Sequence, residues 1–324
     1  MLLNKLHALW HPETYHGWSR SKRFFEGWYY KLVSPEERHA LAIIPGIAMD
    51  ENGQQQAFIQ VLDGKNDAAW YHKFPASDFQ PTPKKHALQL GSNFFSEKRI
   101  RLDLPNLKGE IFFDQNVPWP SSFFSPGIMG PFSFVPLMEC YHGILSMNHS
   151  LKGRLSFQGE NLLFTGGKGY IEKDWGHSFP AGYVWMQSNH FSTPGVSIKA
   201  SMAIIPFLGS SFIGHIAGVL FDGKIYEFTT YNGTTVKHCS ITEKAVDLVM
   251  ENRKYRLRLH AKRDKATALA APIAGFMDAR IEESMKATIE VSLTDKRNNS
   301  LLLHDHGSSA GIEVAGDYQR LLKR

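Results

Sequence analysis

Apolar and polar residues alternate with a period of two along much of this chain. In Tyr255-Arg256-Leu257-Arg258-Leu259-His260-Ala261-Lys262 the alternation is unbroken, which predicts a strand with one buried face. Residues 99–104, 151–158 and 288–293 follow the same rule, and none shows the apolar spacing of three and four that a helix needs. Asn52-Gly53, Asp63-Gly64, Asp222-Gly223 and Asn232-Gly233 punctuate these runs with residues that accept the positive φ of tight turns, and residues 221–226 read as a hairpin. The predicted fold class is therefore all-β, with antiparallel sheets closed into barrels or stacked as sandwiches. Two stretches break the period. Residues 115–136, rich in Pro, Ser and Phe, read as a long connection; residues 264–286, with a run of alanines, read as a short helix or a loop over a pocket.

A length of 324 residues exceeds an ordinary single core and predicts two packed units, 1–140 and 141–324. The net charge of +5 comes from Lys and Arg scattered along the chain, without a nucleic-acid-binding signature, so it reads as a solvated basic surface. Cys140 and Cys239 form no CxxC pair, which disfavours zinc knuckles and disulfide frameworks and fits a reducing cytoplasm. His7, His11, Glu13 and His16 stand where a signal peptide needs apolar residues, and no apolar run reaches the ~20 residues of a membrane-spanning helix. The reading is a cytoplasmic protein that at most rests on a membrane surface.

Three segments carry candidate chemistry. In residues 21–31, Glu26, Trp28 and Tyr30 share one strand face, as in a pocket wall; the plainer alternative is a core strand whose Glu26 pairs with Arg23 or Lys31. In residues 166–180, Tyr170, Glu172 and Asp174 point the same way. Carboxylates at that spacing can divide acid and base work, or pair with Lys173 or Lys168 on a sheet rim. In residues 183–191, Tyr183, Trp185, Gln187, Asn189 and Phe191 share a face that suits a pocket with an apolar body and a few orienting amides. His142 is a further pocket candidate. His304-Asp305-His306 is the only close histidine cluster, weak as a metal signal. No dinucleotide fingerprint or HExxH is present.

The run Arg23-Phe24-Phe25-Glu26-Gly27-Trp28-Tyr29 resembles an N-terminal signature of the tocopherol cyclase family. Tyr170-Ile171-Glu172-Lys173-Asp174-Trp175-Gly176, with Phe179-Pro180 and residues 185–189, resembles its central signature. Residues 223–228 with Asn232-Gly233, then Ala271-Pro272 and 308–316, are similar to later blocks. The resemblance implies two lipocalin-like units, related in fold to carotenoid hydratase-like proteins, and a small apolar prenylated ligand. It also implies a reaction that needs neither cofactor nor metal: protonation of a side-chain double bond, then attack by a phenol oxygen on the tertiary cation. On this reading Glu172, Asp174 and Glu26 are the acid–base candidates. Trp28, Tyr30, His142, Tyr170, Trp175, Trp185, Gln187 and Asn189 shape the pocket. Where plant members carry Asn, this chain has Asp174, so Glu172 or Glu26 is the better candidate for a shared acid. The rival readings are a carrier of an apolar ligand and a hydratase that admits water to the same cation.

Overall fold

A computed structural model describes residues 2–207 and 209–322. Apart from the helix Leu2–Trp10 and short 3₁₀ turns, regular structure is strand. The chain divides into two units: one runs to Phe179 and includes Leu269–Arg280, the other comprises Pro180–Ala268 and the residues from Ile281.

One antiparallel sheet has 12 strands and the other 11, and neither pairing path closes on itself among the described residues. The alternation explains most of the ladders. In Tyr255–Lys262, Leu257, Leu259 and Ala261 are buried, while Arg258 and Lys262 are exposed. Burying such a face contributes about 1.5–3 kcal/mol per large aliphatic side chain. The turn at Asp222-Gly223 has both φ values positive, at 50° and 67°, and joins Ser210–Phe221 to Lys224–Thr229 in the expected hairpin. Asn232-Gly233 instead ends a 3₁₀ turn, with Gly233 as its left-handed cap. The expected connection over 115–136 holds no strand.

The first sheet runs through the expected division near residue 140. Cys140–Phe157 pairs with Leu107–Asp114 on one side and Lys168–Gly176 on the other, and Lys168–Gly176 pairs in turn with Phe24–Val33. Backbone hydrogen bonds therefore carry the first unit to the end of Lys168–Gly176. Within residues 264–286 there is no helix and residues 264–266 alone are a loop; the others belong to two strands and their turn. They form a hairpin of Thr267–Ile273 and Phe276–Asp295, turned at Ala274 and Gly275 with φ of 49° and 89°. Local helix preference of the alanines yields to ladder pairing and to docking of the turn, where Met49 N–H donates to Gly275 O at 2.9 Å.

Each unit has its own core. Tyr30, Leu32, Ile43, Ile59, Phe95 and Ile111 belong to the first, and Val184, Met186, Ile198, Val219, Leu257 and Val291 to the second. Strands Phe24–Val33 and Gly182–Ser188 are buried on both faces, so polar residues facing away from either core are still largely withdrawn from water. Among the described residues no helix is long and apolar enough to cross a membrane.

Candidate acid–base site

Strand alternation sorts the first unit's candidates onto two faces of one sheet. Trp28, Tyr30, Ile171 and Trp175 belong to the core, and Lys173 shares their side of Lys168–Gly176. Tyr170, Glu172 and Asp174 point the other way. Across the ladders Tyr29 stands opposite Glu172, Lys31 opposite Tyr170, and His142 opposite Asp174.

On this second face four side chains form a continuous polar chain. Tyr170, fully buried, donates its hydroxyl to Glu172 Oε2 at 2.5 Å. Burial first, and the neighbouring Glu172 carboxylate second, push the phenol far above its ordinary range, so it stays a donor. His142 bridges the two carboxyl groups: Nδ1 is 2.7 Å from Asp174 Oδ1, and Nε2 is 3.5 Å from Glu172 Oε2. Nε2 is buried and makes no hydrogen bond. Asp174 is the most accessible member, at 27% side-chain exposure, and Cys140 Sγ lies 3.8 Å from its Oδ1. In the tautomer that donates from Nδ1 to Asp174, the Nε2 lone pair faces the buried carboxyl. His142, Glu172 and Asp174 are close enough to share a metal ion. The two carboxyl groups, however, meet opposite nitrogens of the ring, a geometry that suits proton exchange through the imidazole better than chelation.

Glu26 does not join them. It lies on the core side, fully buried, in an ion pair with Lys173 at 2.5 Å that neither Arg23 nor Lys31 supplies. His16 N–H donates to its Oε1 and Oε2 at 3.0 and 2.9 Å, and Gly17 N–H to Oε2 at 3.2 Å. Burial alone would raise its pKa; the Lys173 ammonium and the His16 contacts outweigh burial and hold the carboxyl below its usual value. Lys173 also donates to the Pro12 and Thr14 carbonyls and contacts His16 Nδ1 at 2.9 Å. Its ammonium sits 4.6 Å and 4.9 Å from the ring centroids of Trp28 and Trp175. These two indole faces, expected to shape a ligand pocket, are engaged by a lysine of the protein itself. Tyr30 likewise packs in the core, its hydroxyl 2.7 Å from His86 Nε2. This network anchors residues 12–17 to the sheet.

In the second unit Trp185 and Gln187 face away from the core and are buried. Trp185 stands opposite Glu313, and Gln187 opposite the buried Lys199. Tyr183 donates to Glu313 Oε2 at 2.8 Å. A Cβ on Gly311 would lie 2.7 Å from the Trp185 ring, so glycine makes room for the indole. The expected shared face ends early. The strand stops at Ser188, Ser309 on the partner strand has φ of 46°, and Phe191 joins Val184 and Met186 in the core. Asn189, at that break, is 1% exposed. His304 and His306 lie with Glu290 in an exposed cluster whose ligand atoms fall within 4.8 Å of one another.

Two features of the site were missed by the sequence reading: the imidazole as the bridge, and Lys173 as the partner of Glu26. Both depend on cross-strand register, for which the sequence offers no local signal.

The model of the tocopherol cyclase-like family matches residues 22–118 and 117–316. The chain is 27% identical over 194 residues to the probable tocopherol cyclase, chloroplastic, of Oryza sativa subsp. japonica. That match covers 56% of this chain and 40% of the rice protein. It is 21% identical over 369 residues to the tocopherol cyclase, chloroplastic, of Zea mays, covering 93% of this chain and 77% of the maize protein. The crystal structure of CghA with Sch210972 superposes with a TM-score of 0.57 at 10% identity, over 90% of this chain and 88% of that one, a likeness of fold. The chain belongs to the tocopherol cyclase-like family.

Proposed function

We propose that the protein closes a ring in a prenylated aromatic substrate by proton transfer, with Glu172, His142, Asp174 and Tyr170 as the working groups. The observation that carries this reading is the buried, unbonded Nε2 of His142 facing the buried Glu172 carboxyl, with Asp174 holding the other ring nitrogen. Family membership supports the reaction class.

In the proposed cycle Glu172, as the carboxylic acid, gives its proton to the side-chain double bond and leaves a tertiary cation. The substrate's phenol oxygen attacks that cation and forms the new C–O bond. The proton released by the phenol returns to the carboxylate through His142 Nε2, so substrate and product have the same composition. The Tyr170 hydroxyl holds Glu172 in place through both states, and Asp174 supports the positive charge on the ring while the proton is in transit. Withdrawal from water matters, because water would trap the cation as an alcohol.

The test is incubation of the purified chain with a panel of prenylated hydroquinones under reducing conditions, followed by mass-resolved chromatography. An isomer of unchanged mass and shifted retention, absent with Glu172→Gln, is the expected result. A product heavier by one water would replace the cyclase with a hydratase. Retention of unaltered ligand would leave a carrier.

A further inference from the structure

Helix Leu2–Trp10 presents its apolar side outward. At 100° per residue Leu3, Leu6, Leu9 and Trp10 fall within an arc of about 120°. Leu3, Leu6 and Leu9 are 69%, 47% and 37% exposed, and it is Ala8, on the far side, that is buried. Trp10 extends the arc into the connection before Cys140. Its indole N–H donates to Phe123 O at 2.9 Å, and its ring lies 5.4 Å from that of Phe123 and 5.6 Å from that of Phe134. There Phe123, Phe124 and Leu137 are exposed by 67%, 78% and 83%. Thirteen large apolar side chains are exposed among the described residues, and seven lie on this helix and connection, a concentration that marks an interaction surface.

The charge pattern identifies the partner. Residues 115–138 contain no Asp, Glu, Lys or Arg, and the helix contains no acid. Beside them opens a cleft of about 760 Å³, lined by Leu9, Phe134 and Leu137 together with the exposed cations Lys5, Arg20, Lys22 and Arg23, and by no carboxylate. We propose that this face docks on a bilayer containing anionic lipid. The protruding Phe and Leu side chains enter the headgroup–acyl boundary, and the four cations meet the headgroups. A second copy in a two-fold contact would bring the same four cations together, which opposes self-association. The buried Glu26–Lys173 network holds residues 12–17, and hence the base of the helix, against the sheet.

The experiment is flotation of the full chain with phosphatidylcholine vesicles and with vesicles of phosphatidylcholine and phosphatidylglycerol. Binding to the anionic vesicles should exceed binding to the neutral ones by about tenfold or more and fall at high salt. The double variant Leu3→Glu, Phe124→Glu should lose about tenfold in partitioning, because both apolar anchors become anionic. It should keep the parental thermal unfolding and the parental turnover of detergent-dispersed substrate. Lys5→Glu with Lys22→Glu should abolish the preference for anionic vesicles. Absence of flotation with either vesicle would overturn the proposal. So would a double variant that floats like the parent, or a concentration-dependent dimer that the double variant abolishes. Flotation does not depend on turnover, so its failure is distinct from failure of the proton-transfer reading.

Discussion

Replacing Lys173 by Met tests the account of Glu26 directly. The methionine keeps an apolar stem between Trp28 and Trp175 and removes only the ammonium. Glu26, fully buried, then retains the backbone N–H donors of His16 and Gly17 and the His16 ring nitrogen at 3.4 Å, with no lysine charge. Removing one partner of a buried ion pair costs about 3–5 kcal/mol. Glu26→Gln should cost less, about 2 kcal/mol, because the ammonium keeps the Pro12 and Thr14 carbonyls and the His16 ring. The double variant should be more stable than the sum of the two losses by about 2 kcal/mol, since neither charge is left alone. Urea unfolding followed by tryptophan fluorescence reports the right unit: six of the seven tryptophans lie in it, Trp185 being the exception. With a slope of about 2–3 kcal/mol per molar urea, the Lys173→Met midpoint should fall by about 1–2 M. Losses under about 1 kcal/mol in each single variant, simply additive in the double, would show that the pair is solvated and that Glu26 is not an anchor.

Three further outcomes follow from the same geometry. Glu172→Gln, His142→Gln and Asp174→Asn should each lower kcat by about 10²–10⁴-fold with little change in thermal unfolding, the range expected for a positioned acid or base; near-normal kcat in Glu172→Gln would remove it from the mechanism. Burial depresses the imidazole pKa of His86 and of His149 to about 3, so both are neutral in the fold, whereas in the unfolded chain they take up protons near pH 6.5. Their contribution to stability is complete above pH 6.5 and erodes as pH falls toward 3, by about 1.4 kcal/mol per pH unit for each ring; urea midpoints that stay flat between pH 7 and pH 5 would refute this. Gly311→Ala places a Cβ 2.7 Å from the Trp185 ring and should cost about 1–3 kcal/mol while shifting Trp185 fluorescence; an unchanged spectrum and midpoint would show that the indole is free to move.

Much of the fold is legible in the sequence because side-chain direction along a strand depends only on parity. Tyr255–Lys262, the 221–226 hairpin, and the shared direction of Tyr170, Glu172 and Asp174 follow from that local rule and from turn residues that accept positive φ. Parity also puts Glu26 with Trp28 and Tyr30, but it cannot say which side of Lys168–Gly176 they join. Only the pairing of Phe24–Val33 with Lys168–Gly176 brings Lys173 to Glu26, and only the pairing of Cys140–Phe157 with Lys168–Gly176 sets His142 beside Asp174. The same holds for residues 264–286, whose alanines favour a helix in isolation and which form a hairpin because a ladder and a docked turn satisfy their backbone groups. Phe191 departs from its expected face because the strand breaks at Asn189, where Ser309 of the neighbouring strand takes a positive φ. The sequence by itself therefore determined the all-β class, the alternating strands and the residue types able to carry acid–base chemistry. Tertiary structure decided which carboxylate is neutralised by a buried lysine and which faces an imidazole, because cross-strand register is set by long-range pairing and leaves no local pattern to read.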